Sequence, residues 1–167
     1  MSLTKNISVI IPVLNEQESI PNLYNQICDN LEGYDKEIVF INDGSIDDTK
    51  KIILELMTND PDIILINFSR NYGKASALSE AFKYVQGEIV ITIDGDLQDD
   101  PSEFKNLISK IDEGWDLVSG WKKIRKDSFA KKLASKVFNY ITRLKTGIKI
   151  HDFNCGLKAY KKDVVKS

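Results

Sequence analysis

Short runs of β-branched and aliphatic residues alternate along the chain with longer stretches whose apolar positions recur every three or four residues. The first run, 7–13 (ISVIIPV), has the composition of a strand buried on both faces and leads straight into Leu14, Asn15 and Glu16. A helix is predicted from about Glu18 to about Gly33, with Ile20, Leu23, Ile27 and Leu31 on one face. The second run, 37–42 (EIVFIN), breaks into Asp43-Gly44-Ser45. Asp47-Asp48-Thr49 then opens a helix carrying Ile52, Ile53, Leu56 and Met57, with Ser45 or Asp47 as its N-cap. The third run, 63–68 (IILINF), is followed by 69–74 (SRNYGK) and a helix to about Val85 that buries Ala77, Leu78, Ala81 and Phe82. The fourth lies within 88–93 (EIVITI). The helix after it opens at Pro101, with Asp99 or Asp100 as N-cap, and carries Phe104, Leu107, Ile108 and Ile111. A short fifth strand is read at 117–120 (LVSG).

Strands alternating with helices of this length imply right-handed βαβ units and an α/β fold with a mainly parallel sheet. In such sheets ligands bind beyond the carboxyl ends of the strands, near the point where strand order reverses. That rule gathers four polar clusters on one edge: 12–16, 43–45, 70–74 and 94–98.

The acids of the fourth cluster are close enough to repel one another. Spacing by two in extended backbone puts Asp94 and Asp96 on one side, and Gly95 lets a ligand approach the chain. With the Gln98 amide oxygen they form a candidate site for Mg2+ or Mn2+, completed by water and phosphate oxygens. The competing reading is an acidic turn that introduces the next helix. Each neighbouring candidate has such a double. Asp43 accepts from a base N–H or ribose hydroxyl, or is a turn-forming Asp before Gly. Gly44 and Ser45 offer backbone donors, or Ser45 caps a helix. Lys74 faces a phosphate, or is solvated. Glu16 binds a hydroxyl, or favours the helix dipole. Jointly, four polar clusters closing four successive strands argue for a nucleoside-diphosphate site. The sequence has neither G-x-x-x-x-G-K-[ST] nor G-x-G-x-x-G after the first strand, so phosphate charge must be met by a cation held by carboxylates.

At 167 residues with 42% hydrophobic and 29% charged positions, the chain is read as one domain of ordinary globular composition. Cys28 and Cys155 lack metal-like spacing and suit reduced thiols in a cytosolic setting. No apolar stretch reaches membrane-spanning length, and the amino terminus lacks signal-peptide character. The net charge of -2 conceals an asymmetry: 122–149 holds ten Lys/Arg against one acid, so that segment is +9 and the remainder -11. Within it Phe129, Leu133, Val137, Ile141 and Leu144 recur at helical spacing, which fits either a helix packed on the sheet or one lying on an anionic membrane surface. No nucleic-acid-binding module accompanies the charge, so nucleic acid is not expected as a partner. Homo-oligomerisation is left open.

The runs VIIPVLNE, INDGSIDDT, FSRNYGKASALSEAF and ITIDGDLQDDP resemble the inverting family-2 glycosyltransferases of the GT-A fold. GWKKIRKD and HDFNCGLKAY resemble more narrowly its polyprenyl-phosphate (dolichyl-phosphate mannose synthase-like) branch. The resemblance implies a Rossmann-like three-layer sandwich, a nucleotide-sugar donor (UDP- or GDP-sugar) and a polyprenyl phosphate acceptor. Residues 1–120 would be the nucleotide-sugar-binding half and 121–167 the start of the acceptor-side half, with the chain truncated at its carboxyl end. It further implies that Pro12, Glu16 and Asp43 line the nucleoside pocket, that Asp94, Asp96 and Gln98 hold the metal, and that Asp152 is a candidate base. Where the branch carries Arg, this chain has Lys122, which keeps charge but loses the bidentate fork; Arg125 is placed to substitute in binding acceptor phosphate. The expected location is cytoplasmic, peripheral at the inner face of the membrane. Alternatives are a family-2 transferase extending a polysaccharide through a sugar hydroxyl, a sugar-phosphate nucleotidyltransferase, and a nucleotide-binding regulatory module.

Overall fold

Strand periodicity divides the core into two layers. Along β1 (Asn6–Val13), Ile7, Val9, Ile11 and Val13 enter one apolar cluster and Ile10 enters another, because successive side chains leave opposite faces of the sheet. β2 (Asp35–Asn42) repeats the division, Ile38 and Phe40 against Val39 and Ile41, as does β4 (Ile89–Thr92), Ile89 and Ile91 against Val90. The computed structural model describes residues 6–121 and 155–166. The basic segment 122–149 and the candidates Lys122, Arg125 and Asp152 lie outside the described residues.

The first cluster is closed by α1 (Ile20–Asn30), α2 (Thr49–Asn59) and α4 (Phe104–Asp112), which supply Ile20, Leu23, Ile27, Ile53, Phe104, Leu107, Ile108 and Ile111. The second is closed by α3 (Lys74–Ala81) through Ala77 and Ala81, with Val85 beyond it. Covering both faces is what allows strands of near-continuous apolar sequence, and it makes the three-layer α/β sandwich that the family resemblance implied. Each fully buried Ile or Phe contributes roughly 1.5–3 kcal/mol.

The sheet order is β3-β2-β1-β4-β6-β5, with β3 at Ile63–Asn67, β5 at Leu117–Ser119 and β6 at Lys158–Lys161. β1 pairs in parallel with both β2 and β4, and β2 with β3, whereas β6 runs antiparallel to both β4 and β5. The sheet is therefore mainly parallel, as expected, but β6 is a strand that apolar patterning misses. Its sequence, KAYK, buries one residue, Ala159, and its three remaining residues are half-exposed. β6 also displaces β5 from the flank of β4. Order reverses between β1 and β4, and the crevice at that switch point opens at their carboxyl ends.

Element ends differ from the sequence reading by a few residues. α1 begins at Ile20, and α3 ends at Ala81 rather than Val85. A short 3-10 turn, Pro101–Glu103, precedes α4 and is capped by Asp100, whose side chain accepts from the Ser102 N–H at 2.9 Å. α5 (Lys162–Lys166) closes the described chain, and its Lys162 and Lys166 donate to the carbonyls of Gln86 and Lys83 behind α3.

Candidate functional site

Two loops at the carboxyl edge of the sheet are fastened by reciprocal bonds between side chains and backbone. The Asn15 N–H donates to Ser45 Oγ at 2.9 Å, and the Ile46 N–H donates to Asn15 Oδ1 at 2.9 Å. The Glu16 N–H meets Thr49 Oγ1 at 2.8 Å, the Gln17 N–H meets Asp47 Oδ2 at 3.3 Å, and the Asp48 N–H meets Gln17 Oε1 at 2.9 Å. Asn15 adopts φ 57, a left-handed conformation that Asn tolerates better than other residues with a side chain. Burial raises the Asp47 carboxyl, but bonds from the Thr49 hydroxyl and amide and the Gln17 amide outweigh it and hold the pKa below the usual value. Asp47 also accepts the Thr49 N–H at the entrance to α2, so it serves the helix while the Ser45 hydroxyl serves the other loop.

Asp43 fixes a third loop. It is 5% exposed, and its two oxygens accept from the Tyr72 N–H at 2.7 Å and the Gly73 N–H at 2.9 Å. Gly44, at φ 78, lies so close to the Arg70–Asn71 backbone that any Cβ would overlap it. The same loop is steadied by Arg70 stacked over the Tyr72 ring, 5.0 Å from its centroid.

The fourth loop carries the acids. Residues 95–96 form a turn rather than extended backbone, so the alternation that placed Asp94 and Asp96 on one side is not the cause of their proximity. Leu97 at φ 58 completes the reversal, and Asp96 Oδ1 accepts the Gln98 N–H at 3.1 Å. A Cβ on Gly95 would lie 2.9 Å from Val13 Cγ1 and 3.4 Å from Glu16 Cγ, so this glycine lets the turn close on the β1 loop. Asp94 lies against Gly156, where a Cβ would overlap its whole carboxylate, and Thr92 Oγ1 donates to the Gly156 carbonyl at 2.8 Å. On its open side Asp94 Oδ1 accepts from Lys74 Nζ.

The result is a cleft of about 250 Å3 lined by Pro12, Val13, Leu14, Glu16, Asp43, Asn71, Gly73, Lys74, Asp94, Gly95 and Asp96. Six of the sequence candidates thus converge: Pro12, Glu16, Asp43, Lys74, Asp94 and Asp96. Three do not line it. The Ser45 N–H donates to Asn42 Oδ1 at 3.0 Å and its hydroxyl oxygen accepts from the Asn15 N–H, so in this structure it braces the two loops. Gly44 is likewise a packing position. Gln98 is exposed and contributes its amide N–H to the Asp96 turn. Gly156 and Asn71 were not singled out from the sequence. The only signal for Gly156 was its place in the motif HDFNCGLKAY, where a small residue has no local explanation.

Among the described residues no three His, Cys, Asp or Glu side chains form a ready-made metal cluster. Of the four carboxylates that line the cleft, Asp94 and Asp96 are the candidate donors. A hard, all-oxygen pair that leaves most positions to phosphate oxygens and water fits Mg2+ or Mn2+. The rigid seat of Asp94 on Gly156 fits a ligand held in one orientation.

The family described as Glycosyl transferase family 2 matches residues 8–167. Glucosyl-3-phosphoglycerate synthase from Mycobacterium tuberculosis in complex with UDP superposes with a TM-score of 0.72 at 23% identity, covering 96% of this chain and 58% of that one. The same enzyme with Mn2+, UDP-glucose and glycerol 3-phosphate gives 0.72 at 22% identity, with the same coverage. A mannosyltransferase from Pyrobaculum calidifontis in complex with GDP-Man and Mn2+ gives 0.71 at 23% identity, covering 99% of this chain and 47% of that one. The chain therefore spans about half the length of these solved structures, and at such identities the likeness is one of fold.

Proposed function

The chain belongs to glycosyl transferase family 2, and on that footing we propose that its cleft binds a nucleotide sugar, a UDP- or GDP-sugar, for inverting transfer of the sugar to a polyprenyl phosphate. The observation that carries this reading is the convergence of Pro12, Glu16, Asp43, Lys74, Asp94 and Asp96 on one cleft at the sheet's switch point. Family membership speaks against the nucleotidyltransferase and regulatory-module alternatives. The structures similar in fold carry UDP, UDP-glucose with Mn2+, or GDP-Man with Mn2+, which supports the donor class.

In this reading Asp94 and Asp96 would hold Mg2+ or Mn2+, which would supply neutralisation of diphosphate charge. Lys74 adds a second positive charge beside them. Asp43 contributes by fixing the Tyr72–Gly73 backbone that forms the floor next to Lys74. Asp152 is the candidate base. A phosphate acceptor is largely ionised near neutral pH, its second pKa being about 6, so Asp152 then positions rather than deprotonates. A hydroxyl acceptor would need it as a base.

The polyprenyl phosphate acceptor, with Lys122 and Arg125 as its phosphate ligands, rests on the motifs GWKKIRKD and HDFNCGLKAY and on the +9 charge of 122–149. That charge also supports peripheral attachment to an anionic membrane at its cytoplasmic face; no helix among the described residues is long and apolar enough to cross one. A second reading, a small phosphorylated acceptor, is favoured by the fold likeness to glucosyl-3-phosphoglycerate synthase. The test is turnover of UDP-glucose and GDP-mannose with Mn2+, offered polyprenyl phosphate in vesicles or 3-phosphoglycerate in solution. Turnover dependent on the lipid is expected; turnover with phosphoglycerate alone selects the second reading. Hydrolysis and transfer both absent, with no Mn2+-dependent binding of UDP or GDP, defeats the donor reading. Replacing Lys131, Lys132 and Lys136 with Gln should weaken sedimentation with anionic vesicles, and unchanged sedimentation would reject membrane attachment through this segment.

A further inference from the structure

The described lining of the cleft carries four carboxylates, on Glu16, Asp43, Asp94 and Asp96, against one ammonium, on Lys74. That ammonium is in contact with Asp94 Oδ1, on the carboxylate assigned to the cation. Asp94 cannot withdraw from it toward β6, because Gly156 already touches the carboxylate from behind. Lys74 is free to move: it is the first residue of α3, and its side chain is 47% exposed. The N–H groups of Tyr72 and Gly73, just before that helix, are not available to phosphate, since both donate to Asp43. Among the described residues that line the cleft, Lys74 carries the positive charge that can meet a diphosphate.

Resting on the donor reading above, we propose that Lys74 and the divalent cation compete for Asp94, and that the diphosphate of the donor draws Lys74 away and so opens Asp94 to the cation. The device makes cation and nucleotide each raise the affinity of the other, beyond what direct bonds between cation and phosphate supply. Reciprocity follows from thermodynamic linkage: if nucleotide relieves the competition at Asp94, cation must favour nucleotide by the same factor. It also guards against unproductive states. A nucleotide arriving without cation faces four carboxylates, and a cation arriving without nucleotide faces an occupied ligand.

The test is titration of the 167-residue chain with Mn2+, read by loss of the free-Mn2+ electron paramagnetic resonance signal, without nucleotide and with saturating UDP or GDP. Wild type is compared with Lys74→Met and Lys74→Arg, with a thermal melt confirming that each variant is folded. Lys74→Met is expected to bind Mn2+ alone about fivefold or more tightly than wild type. The gain produced by nucleotide should shrink by about the same factor, and Lys74→Arg, which keeps the charge, should retain that gain. An unchanged nucleotide gain in Lys74→Met, with Mn2+-dependent UDP or GDP binding intact in wild type, overturns the competition while leaving the donor site standing. A uniform rise in Mn2+ affinity with and without nucleotide overturns it equally, since that is plain charge repulsion. If wild type shows no Mn2+-dependent binding of either nucleotide, the donor reading and this inference fall together.

Discussion

Gly156 is the position at which a single added methyl group separates site geometry from fold. A Cβ there would overlap Cγ and both oxygens of Asp94. Ordinary carbon contacts lie at about 3.5–4 Å, so either the carboxylate or the β6 entrance must move by about 1 Å. Thr92 Oγ1, bonded to the Gly156 carbonyl, and the pairing of Thr92 with Lys158 resist movement of the strand, so the carboxylate is the part that yields. Overpacking of this kind costs about 1–3 kcal/mol, and a protein of this size loses about 2–4 °C in Tm per kcal/mol. Displacing the support of a metal ligand costs a further 10- to 100-fold in affinity, order of magnitude about. Gly156→Ala should therefore melt several degrees early and bind UDP or GDP with Mn2+ at least about tenfold more weakly. Gly33→Ala is the control. Gly33 sits at φ 81 with nothing within 4 Å of an added Cβ, so it should cost stability through backbone strain and leave nucleotide binding untouched. Calorimetric titration of both variants decides the matter. A folded Gly156→Ala protein with wild-type affinity would refute the claim that this contact seats Asp94.

Further outcomes follow from the same geometry. Asp96→Asn should abolish the stimulation of nucleoside-diphosphate binding by Mn2+ while leaving the melting temperature unchanged, because Asp96 is exposed; a titration with and without Mn2+ checks it. Asp43→Ala leaves the Tyr72 N–H without its acceptor, while the Gly73 N–H keeps Asn71 Oδ1, and should lower stability by about 1–3 kcal/mol in urea unfolding, with Asp43→Asn losing less. Asp47 has its pKa depressed in the fold, so the stabilisation it gives is present above the unfolded value near about 4 and is lost as pH falls through the lower folded value. Asp47→Asn should accordingly flatten the acid limb of stability against pH, read as urea midpoints between about pH 3 and about pH 6, and an unaltered limb would remove Asp47 from that account.

How much was legible depends on the range of the interaction concerned. Apolar periodicity is a property of neighbouring residues, and it found β1 to β4, the buried faces of α1 and α4, and the edge on which polar clusters meet. Ile20, Leu23, Ile27 and Leu31, and Phe104, Leu107, Ile108 and Ile111, are all buried as the pattern required. It did not find β6, whose half-exposed KAYK owes its strand to pairing with β4 rather than to hydrophobicity. It left Ser45 open between a donor to the ligand and a helix cap, because it does not show that the hydroxyl accepts from the Asn15 amide 30 residues away. It brought Asp94 and Asp96 together for the wrong reason, through extended spacing where the chain in fact turns. Nor does any local pattern show that Lys74 contacts Asp94, or that Gly156, in the bend before β6 and 64 residues beyond Thr92, backs it. Burial and hydrogen-bonding needs are written residue by residue, so class of fold and location of the cleft can be read off the chain. Which donor meets which acceptor is set by register and loop closure among distant segments, and that exists only once the sheet has formed.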